Sequence, residues 1–213
     1  MLSALGFQVG LVLDILLRLP GVIIAITLHE YTKSRVSARF GDPKPGNDGR
    51  LTLNPLKHIE PIGFICLCAW GMGWGKPVQT LPSYYGPDRR KRASLLTYIT
   101  PVVVNLFAGL VFGVCGMLFA PLLQTGGSVV LEYVYLIIMG AAVVNISFAL
   151  VQCVPVYPMA GERVLCQFLK ANTIVKMTQY QSFWQILLMI GIASGYLAIV
   201  VNPVCRLLLG FAI

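Results

Sequence analysis

Long apolar stretches are the feature that most constrains how this chain can fold. Four of them reach the length of about 20 apolar residues that a helix needs to cross a bilayer. Only 11% of the 213 residues are charged, whereas a soluble domain carries about 25%. We therefore predict an all-α polytopic membrane protein, a single domain over residues 1–213, with about four transmembrane helices at Pro20–Phe40, Ala93–Ala120, Val129–Val154 and Phe183–Leu209.

Three other segments do not fit an ordinary span. Ile62–Gly75 is rich in glycine and too short to cross, so we predict a re-entrant or interfacial segment. Residues 1–19 contain Asp14 and Arg18 and are expected to form a partly interfacial lead-in helix. In residues 41–60, alternating polar and apolar residues between turn formers predict a small cytosolic β element, with an edge for an extended peptide. An ordinary connecting loop is the equal alternative there.

Two pairs of glycines lie one helical turn apart inside predicted spans. They are Gly109 with Gly113 and Gly191 with Gly195. Small residues at this spacing let two membrane helices approach closely. Both pairs therefore predict close helix packing and carry no information about activity.

The distribution of basic residues predicts the orientation. The net charge is +8, and 14 of the 16 Lys and Arg residues fall on one side of the predicted layout. The positive-inside rule places residues 41–92 and 155–182 in the cytoplasm and both termini outside. This layout requires Ile62–Gly75 to enter and leave on the same side. The expected partner is bilayer lipid, and nucleic acid is not expected, since no basic surface interleaved with aromatics stands out.

The chemistry-bearing residues are His29 and Glu30, inside the first span. A charged group near the bilayer centre costs about 2.5–3.5 kcal/mol on insertion scales, so such residues are usually functional or paired. In the H-E-x-x-H pattern, two histidines on one helix face bind zinc and the glutamate activates the metal-bound water. Here the run is His29-Glu30-Tyr31-Thr32-Lys33, so a lysine stands where the second histidine would be.

The surrounding motifs are more specific than this partial match. The chain contains Ala-Ile-Thr-Leu-His29-Glu30, Phe40-Gly-Asp-Pro43, Gly49-Arg-Leu-Thr-Leu-Asn-Pro-Leu-Lys-His-Ile-Glu-Pro-Ile-Gly63, Trp74-Gly-Lys-Pro-Val78, Thr100-Pro-Val-Val-Val-Asn105 and Val154-Pro-Val-Tyr-Pro-Met-Ala-Gly161. In this order they resemble the landmarks of the bacterial site-2 protease family of intramembrane zinc metalloproteases, over a core of residues 20–170, which leaves the C-terminal span 183–209 outside it.

The resemblance implies three helices around a zinc ion inside the membrane, close to the cytosolic side, and hydrolysis of a peptide bond in a transmembrane substrate. Carried over by position, His29 matches the first metal ligand and Glu30 the catalytic base. Lys33 and Ala160 occupy the positions of the other two ligands, a histidine and an aspartate. Asn105 matches one polar residue of the substrate cleft, and Gln152 replaces another.

One of the three implied ligands therefore remains. A lone histidine does not hold zinc at useful affinity, an ammonium offers no lone pair, and alanine has no donor. We predict a non-catalytic pseudoprotease that binds transmembrane segments or partner proteins and carries no zinc. Glu30 and Lys33, three residues apart on one helix face, would then form a structural ion pair.

Two alternatives remain open at this point. An active intramembrane zinc metalloprotease would need a rebuilt ligand set, for example His58 with Cys66, Cys68 or Cys153. Zinc would be its cofactor, and Glu30 its catalytic residue. A transporter-like membrane protein would use the same polar groups inside the membrane, although those groups already match the protease pattern.

Overall fold

A computed structural model describes residues 2–124 and 128–210 of the chain. In that part the regular elements are helical, and no strand occurs. The α-helices are α1 (Leu2–Arg39), α2 (Lys44–Asn47), α3 (Pro61–Trp70), α4 (Arg90–Gln124), α5 (Val129–Gln152), α6 (Ala160–Leu165), α7 (Ala171–Gln179), α8 (Gln181–Ala193) and α9 (Tyr196–Leu209).

The first helix is longer than predicted. Residues 2–19 are helical, as predicted for the lead-in, but helix α1 is continuous over 38 residues with Pro20 inside it, so the lead-in and the first span form one helix. Asp14 and Arg18 lie one turn apart, and their charged atoms approach to 3.9 Å. An ion pair at this spacing allows an otherwise apolar helix to carry two charged side chains. The part of α1 that is apolar enough to span a membrane runs from Val12 to Arg39.

Within residues 2–124 and 128–210, three helices are long and apolar enough to cross a membrane: the spans in α1, α4 and α5. A fourth span arises if α8 and α9 count together, although their axes differ by 62°. The predicted fourth span over Phe183–Leu209 is therefore broken, at Ser194 and Gly195, where Gly195 has a φ of +79°. An integral, all-α membrane protein with three or four spans is confirmed in the described residues, and α8 with α9 forms either a broken span or a re-entrant pair.

The close packing predicted from glycines is present at one of the two pairs. A Cβ on Gly109 would lie 2.6 Å from a side-chain atom of Ile146, and one on Gly113 would lie 2.5 Å from Leu209. These glycines let α4 approach α5 and α9. The prediction is wrong for Gly191 and Gly195, which lie at the bend between α8 and α9: a Cβ on Gly191 would meet Leu197 only at 3.9 Å, and one on Gly195 would meet nothing within 4 Å.

Residues 41–60 do not form the predicted β element. They contain the short helix α2 and a single 3₁₀ turn at Pro55–Lys57, which the Asn54 side chain caps by accepting from the Leu56 amide. Leu53 is 61% exposed, so the alternation of polar and apolar residues buries no face. No neighbouring strand is available to complete a sheet in the described chain, and prolines at both ends favour turns.

The segment after residue 60 doubles back on itself. Helix α3 starts at a Glu60 cap, ends at Gly71, and is followed by an irregular return in which Trp74 packs directly on Gly63. The Lys76 amide donates to the His58 carbonyl at 2.7 Å. The segment thus begins and ends at the same end of the bundle, which is the geometry that the predicted layout requires.

Candidate functional site

Three charged or titratable side chains lie buried on one face of α1. His29 is fully buried, and Glu30 and Lys33 are 2% and 4% exposed. Helices α4 and α5 pack against α1 around them, and the return of the re-entrant segment covers Glu30. Buried charges are tolerated only when they are paired and hydrogen-bonded, so their partners decide what this site can do.

His29 stands at the end of a chain of hydrogen bonds. The Asn105 amide nitrogen donates to the Ala25 carbonyl at 2.9 Å and to the Asn145 side-chain oxygen at 3.3 Å. The Asn145 amide nitrogen in turn donates to the Ala141 carbonyl at 2.8 Å. These two backbone acceptors orient both amides, so the Asn105 side-chain oxygen faces His29 Nδ1 at 3.2 Å as an acceptor.

This arrangement assigns the proton of neutral His29 to Nδ1 and leaves the Nε2 lone pair free. The Nε2 atom is buried and has no hydrogen-bond partner in the described chain. The ring lies edge-on to Phe148, with centroids 5.2 Å apart. A metal-binding histidine is held in the same way, with its second nitrogen donating to a carbonyl or carboxylate oxygen. His29 therefore keeps the tautomer and support of a ligand.

Glu30 has two partners on a single carboxylate oxygen. Its Oε2 accepts a hydrogen bond from the Val78 amide at 2.9 Å and lies 3.5 Å from Lys33 Nζ. The backbone of Gly75 passes so closely that a Cβ there would lie 3.3 Å from Glu30 Cγ and 2.9 Å from Ile26. The returning segment thus closes over the carboxylate and excludes water from it.

Lys33 lies between a carboxylate and an aromatic ring. Its Nζ is 3.5 Å from Glu30 and 5.3 Å from the centroid of the Tyr98 ring on α4. A cation over an aromatic face gains about 0.5–2 kcal/mol, more when it is desolvated. The ammonium therefore occupies the space beside Glu30 as its counter-charge.

The other two predicted site positions lie together at the end of α5. The Gln152 side-chain oxygen accepts from the Ala160 amide at 2.9 Å, which joins the last turn of α5 to the start of α6. Ala160 is 2% exposed and presents only a methyl group. Gly161 packs against the carbonyls of Cys153 and Val154. In this arrangement Gln152 holds backbone in place.

The donors around His29 do not match the zinc ion that the resemblance implies. His29 Nε2 is a suitable ligand, but Lys33 presents an ammonium and Ala160 a methyl group. In residues 2–124 and 128–210, no group of three or more His, Cys, Asp or Glu side chains could hold a metal ion. The side chains in the described part of the chain therefore do not fit a zinc site of the usual three-ligand kind.

His58 does not rebuild that ligand set. It is fully buried, and its Nε2 donates to the Thr52 carbonyl at 2.7 Å. Burial lowers the pKa of His58, the bond to Thr52 opposes that shift, and the nearby Arg50 guanidinium adds to it. The neutral ring supports the loop before the re-entrant segment. No described group brings it together with cysteine as a metal site.

Several contributors to the site were not predicted. The Val78 amide is a backbone group, which no side-chain pattern reveals, although Val78 is the last residue of the Trp74–Val78 motif. Tyr98 lies in a long apolar helix and shows no signal as a partner of Lys33. The Arg50 guanidinium donates to the carbonyls of Lys57 and Lys76 and so ties the two ends of the re-entrant segment together. Arg50 lies within the Gly49–Gly63 motif, and this was the sequence feature that could have indicated its role.

Comparison with known proteins gives one informative similarity. The chain is 29% identical over 165 residues to a Bacillus subtilis (strain 168) protein named "Putative zinc metalloprotease YwhC", which covers 76% of this chain and 73% of that relative. No protein-family model matches the chain. No solved structure matches it either. The similarity supports a protease-like membrane protein and extends over most of both chains.

Proposed function

We propose that this chain is a non-catalytic, site-2-protease-like membrane protein that binds transmembrane segments of partner proteins. The observation that carries the proposal is the pairing of Glu30, the residue matched to the catalytic base, with the ammonium of Lys33 in a buried site. That ammonium stands at the position of a metal ligand.

The geometry around Glu30 argues against a base poised for hydrolysis. A general base must reach the proton that it removes, within hydrogen-bond distance or through one water. The Oε2 atom of Glu30 is already engaged by Lys33 and by the Val78 amide. Gly75 lies against the same side chain. These contacts hold the carboxylate as one half of a structural ion pair.

A cavity between the membrane helices supports a binding role. It has a volume of about 510 Å³ and is lined by α1, α5, α9 and the end of α3. Most of its lining is apolar, including Leu136, Met139 and Val143 of α5. Moving apolar surface out of lipid gains little free energy, because lipid tails are equally apolar. Transmembrane helices instead associate through van der Waals packing, for which an apolar cavity between spans is suited.

One observation favours the alternative of an active zinc metalloprotease. The lone pair of His29 Nε2 remains free, and Asn105 and Asn145 still orient the ring as they would for a ligand. A ligand set completed from outside this chain would use that lone pair. The metal content of the full-length protein distinguishes the two proposals.

We expect the full-length protein, purified in detergent without chelators, to hold far less than one zinc per chain. It should leave helical transmembrane substrates uncut, because no second and third ligand accompany His29. Elemental analysis by mass spectrometry and a cleavage assay check this, with Glu30→Gln as the paired variant. Stoichiometric zinc, with cleavage that Glu30→Gln abolishes, would establish the active alternative.

The binding role is tested by filling the cavity. Leu136→Trp places a larger side chain in it, whereas Leu118→Trp makes the same change at a position on α4 that is 74% exposed. We expect Leu136→Trp to weaken association with a polyleucine transmembrane peptide in vesicles several-fold, as cavity volume is lost. Energy transfer between labelled peptide and protein measures the association. Equal binding by both variants would reject the cavity as the contact surface.

A further inference from the structure

A second, smaller cavity lies away from the site on α1. It has a volume of about 240 Å³ and is formed by the connection from α5 to α8 together with the first turn of α8. One carboxylate and several apolar or aromatic side chains line it. They are Pro155, Val156, Tyr157, Glu162, Met177 and Trp184.

Glu162 is the unusual member of this lining. Its side chain is 7% exposed, and its Oε2 atom is buried without a hydrogen-bond partner in the described chain. The Oε1 atom accepts from the Cys166 thiol at 3.5 Å. Arg163 Nε lies 3.1 Å from Oε2, and the Arg163 side chain is 48% exposed. The pair therefore joins a buried anion to a cation that water can reach.

These walls match an organic cation. Tyr157 and Trp184 are aromatic lining residues, and aromatic rings attract weakly hydrated ammonium groups, which is how quaternary ammonium ligands are recognised. The proline, valine and methionine supply apolar contact. A carboxylate at the base supplies the opposite charge. Small-ligand sites commonly combine an apolar lining with a few polar groups that fix orientation.

The position of the cavity in the chain indicates the source of the organic cation. Its lining begins three residues after α5 ends at Gln152 and closes in the first turn of α8, so it lies at the ends of membrane-spanning helices. The same stretch of chain carries exposed apolar side chains: Phe168, Val175, Tyr180 and Phe183 are all more than half exposed. Exposed aromatic residues at span ends and short amphipathic helices such as α7 are typical of the headgroup layer.

We propose that this cavity binds the ammonium group of a zwitterionic phospholipid headgroup. The ammonium contacts Glu162 between Tyr157 and Trp184, and it takes over the place that Arg163 now holds beside the carboxylate. The exposed guanidinium of Arg163 then faces the headgroup phosphate, which an arginine binds well. The buried Glu162 carboxylate and the exposed Arg163 guanidinium thus complement the ammonium and the phosphate of the headgroup, respectively. The proposal is independent of the state of the site on α1.

The test is lipid retention by the full-length protein in detergent, measured by native mass spectrometry. Phosphatidylethanolamine and phosphatidylcholine serve as zwitterionic probes, and phosphatidylglycerol serves as a probe without an ammonium. We expect Glu162→Gln to weaken binding of both zwitterionic lipids about tenfold, the size of effect that loss of one desolvated charge contact produces. The control is Glu132→Gln, which removes the same charge from an exposed residue at the other end of α5 and should change nothing.

A second variant keeps the test decisive if Glu162→Gln does not fold. Trp184→Leu removes one aromatic wall at a partly exposed position and is expected to cause a similar loss. The proposal is overturned if either folded variant retains the zwitterionic lipids, or if phosphatidylglycerol binds equally well. Free phosphocholine that binds as tightly as the lipid would also overturn it, since the ligand would then be a soluble zwitterion.

Discussion

Lys33→Met is expected to destabilise the folded protein by about 3–5 kcal/mol, the usual cost of removing one member of a buried ion pair. Methionine keeps most of the volume of lysine and removes its charge. Glu30 would remain buried with the Val78 amide as its donor. A desolvated carboxylate without a counter-charge is costly, so the apparent melting temperature in detergent should fall clearly.

A matched substitution separates burial from charge alone. Lys44 and Asp48 form an ion pair with charged atoms 2.9 Å apart, but both side chains are about one-third exposed. Exposed pairs contribute about 0–1 kcal/mol, so Lys44→Met should melt close to the unchanged protein. A large loss in both variants would indicate a general effect of removing lysine.

The double variant Glu30→Gln/Lys33→Met provides the stricter test. Glutamine keeps an oxygen for the Val78 amide while removing the charge, so the double variant should be more stable than Lys33→Met alone. Such recovery is the signature of coupling between two contacting residues. If Lys33→Met melts like the unchanged protein, or if the double variant is the less stable of the two, the ion pair does not hold this core together.

Span length was predictable from the sequence, whereas the breaks within spans were not. Apolar runs of sufficient length gave α4 and α5 nearly at their observed bounds, because burial in lipid depends on composition over about 20 residues. The bend at Gly195 depends on a backbone conformation, and the continuity of α1 through Pro20 depends on neighbours that pack there. For residues 41–60, alternation alone predicted strands, yet the segment has no partner strand and exposes Leu53.

The site was predictable in its side chains and not in its backbone. Helical spacing places Glu30 and Lys33 on one face, and the structure has them 3.5 Å apart. The Val78 amide and the close passage of Gly75 arise from the doubling back of the chain, which spacing along the sequence does not encode. The roles assigned to His29, Asn105 and Gln152 as ligand and substrate contacts remain predictions from the resemblance.

Lys33→His combined with Ala160→Asp is expected to give a protein that binds about one zinc per chain. His29 already has its Nε2 lone pair free and its Nδ1 facing Asn105. Supporting contacts of this kind typically account for 10–100-fold in metal affinity. The two substitutions add an imidazole and a carboxylate, which are both usual zinc ligands. The unchanged protein should show no such binding.

Elemental analysis and a competition titration with a chromogenic chelator measure the gain. The control is Lys33→His/Ala160→Asn, which has nearly the same shape but replaces the carboxylate by an amide, a poor zinc ligand, and it should bind far more weakly. Asn105→Leu added to the zinc-binding variant should weaken binding again, since His29 loses the acceptor that fixes its tautomer. If the double variant folds and still binds no zinc, then the two substituted positions do not converge on His29, and the match of this site to a protease centre fails at its geometry.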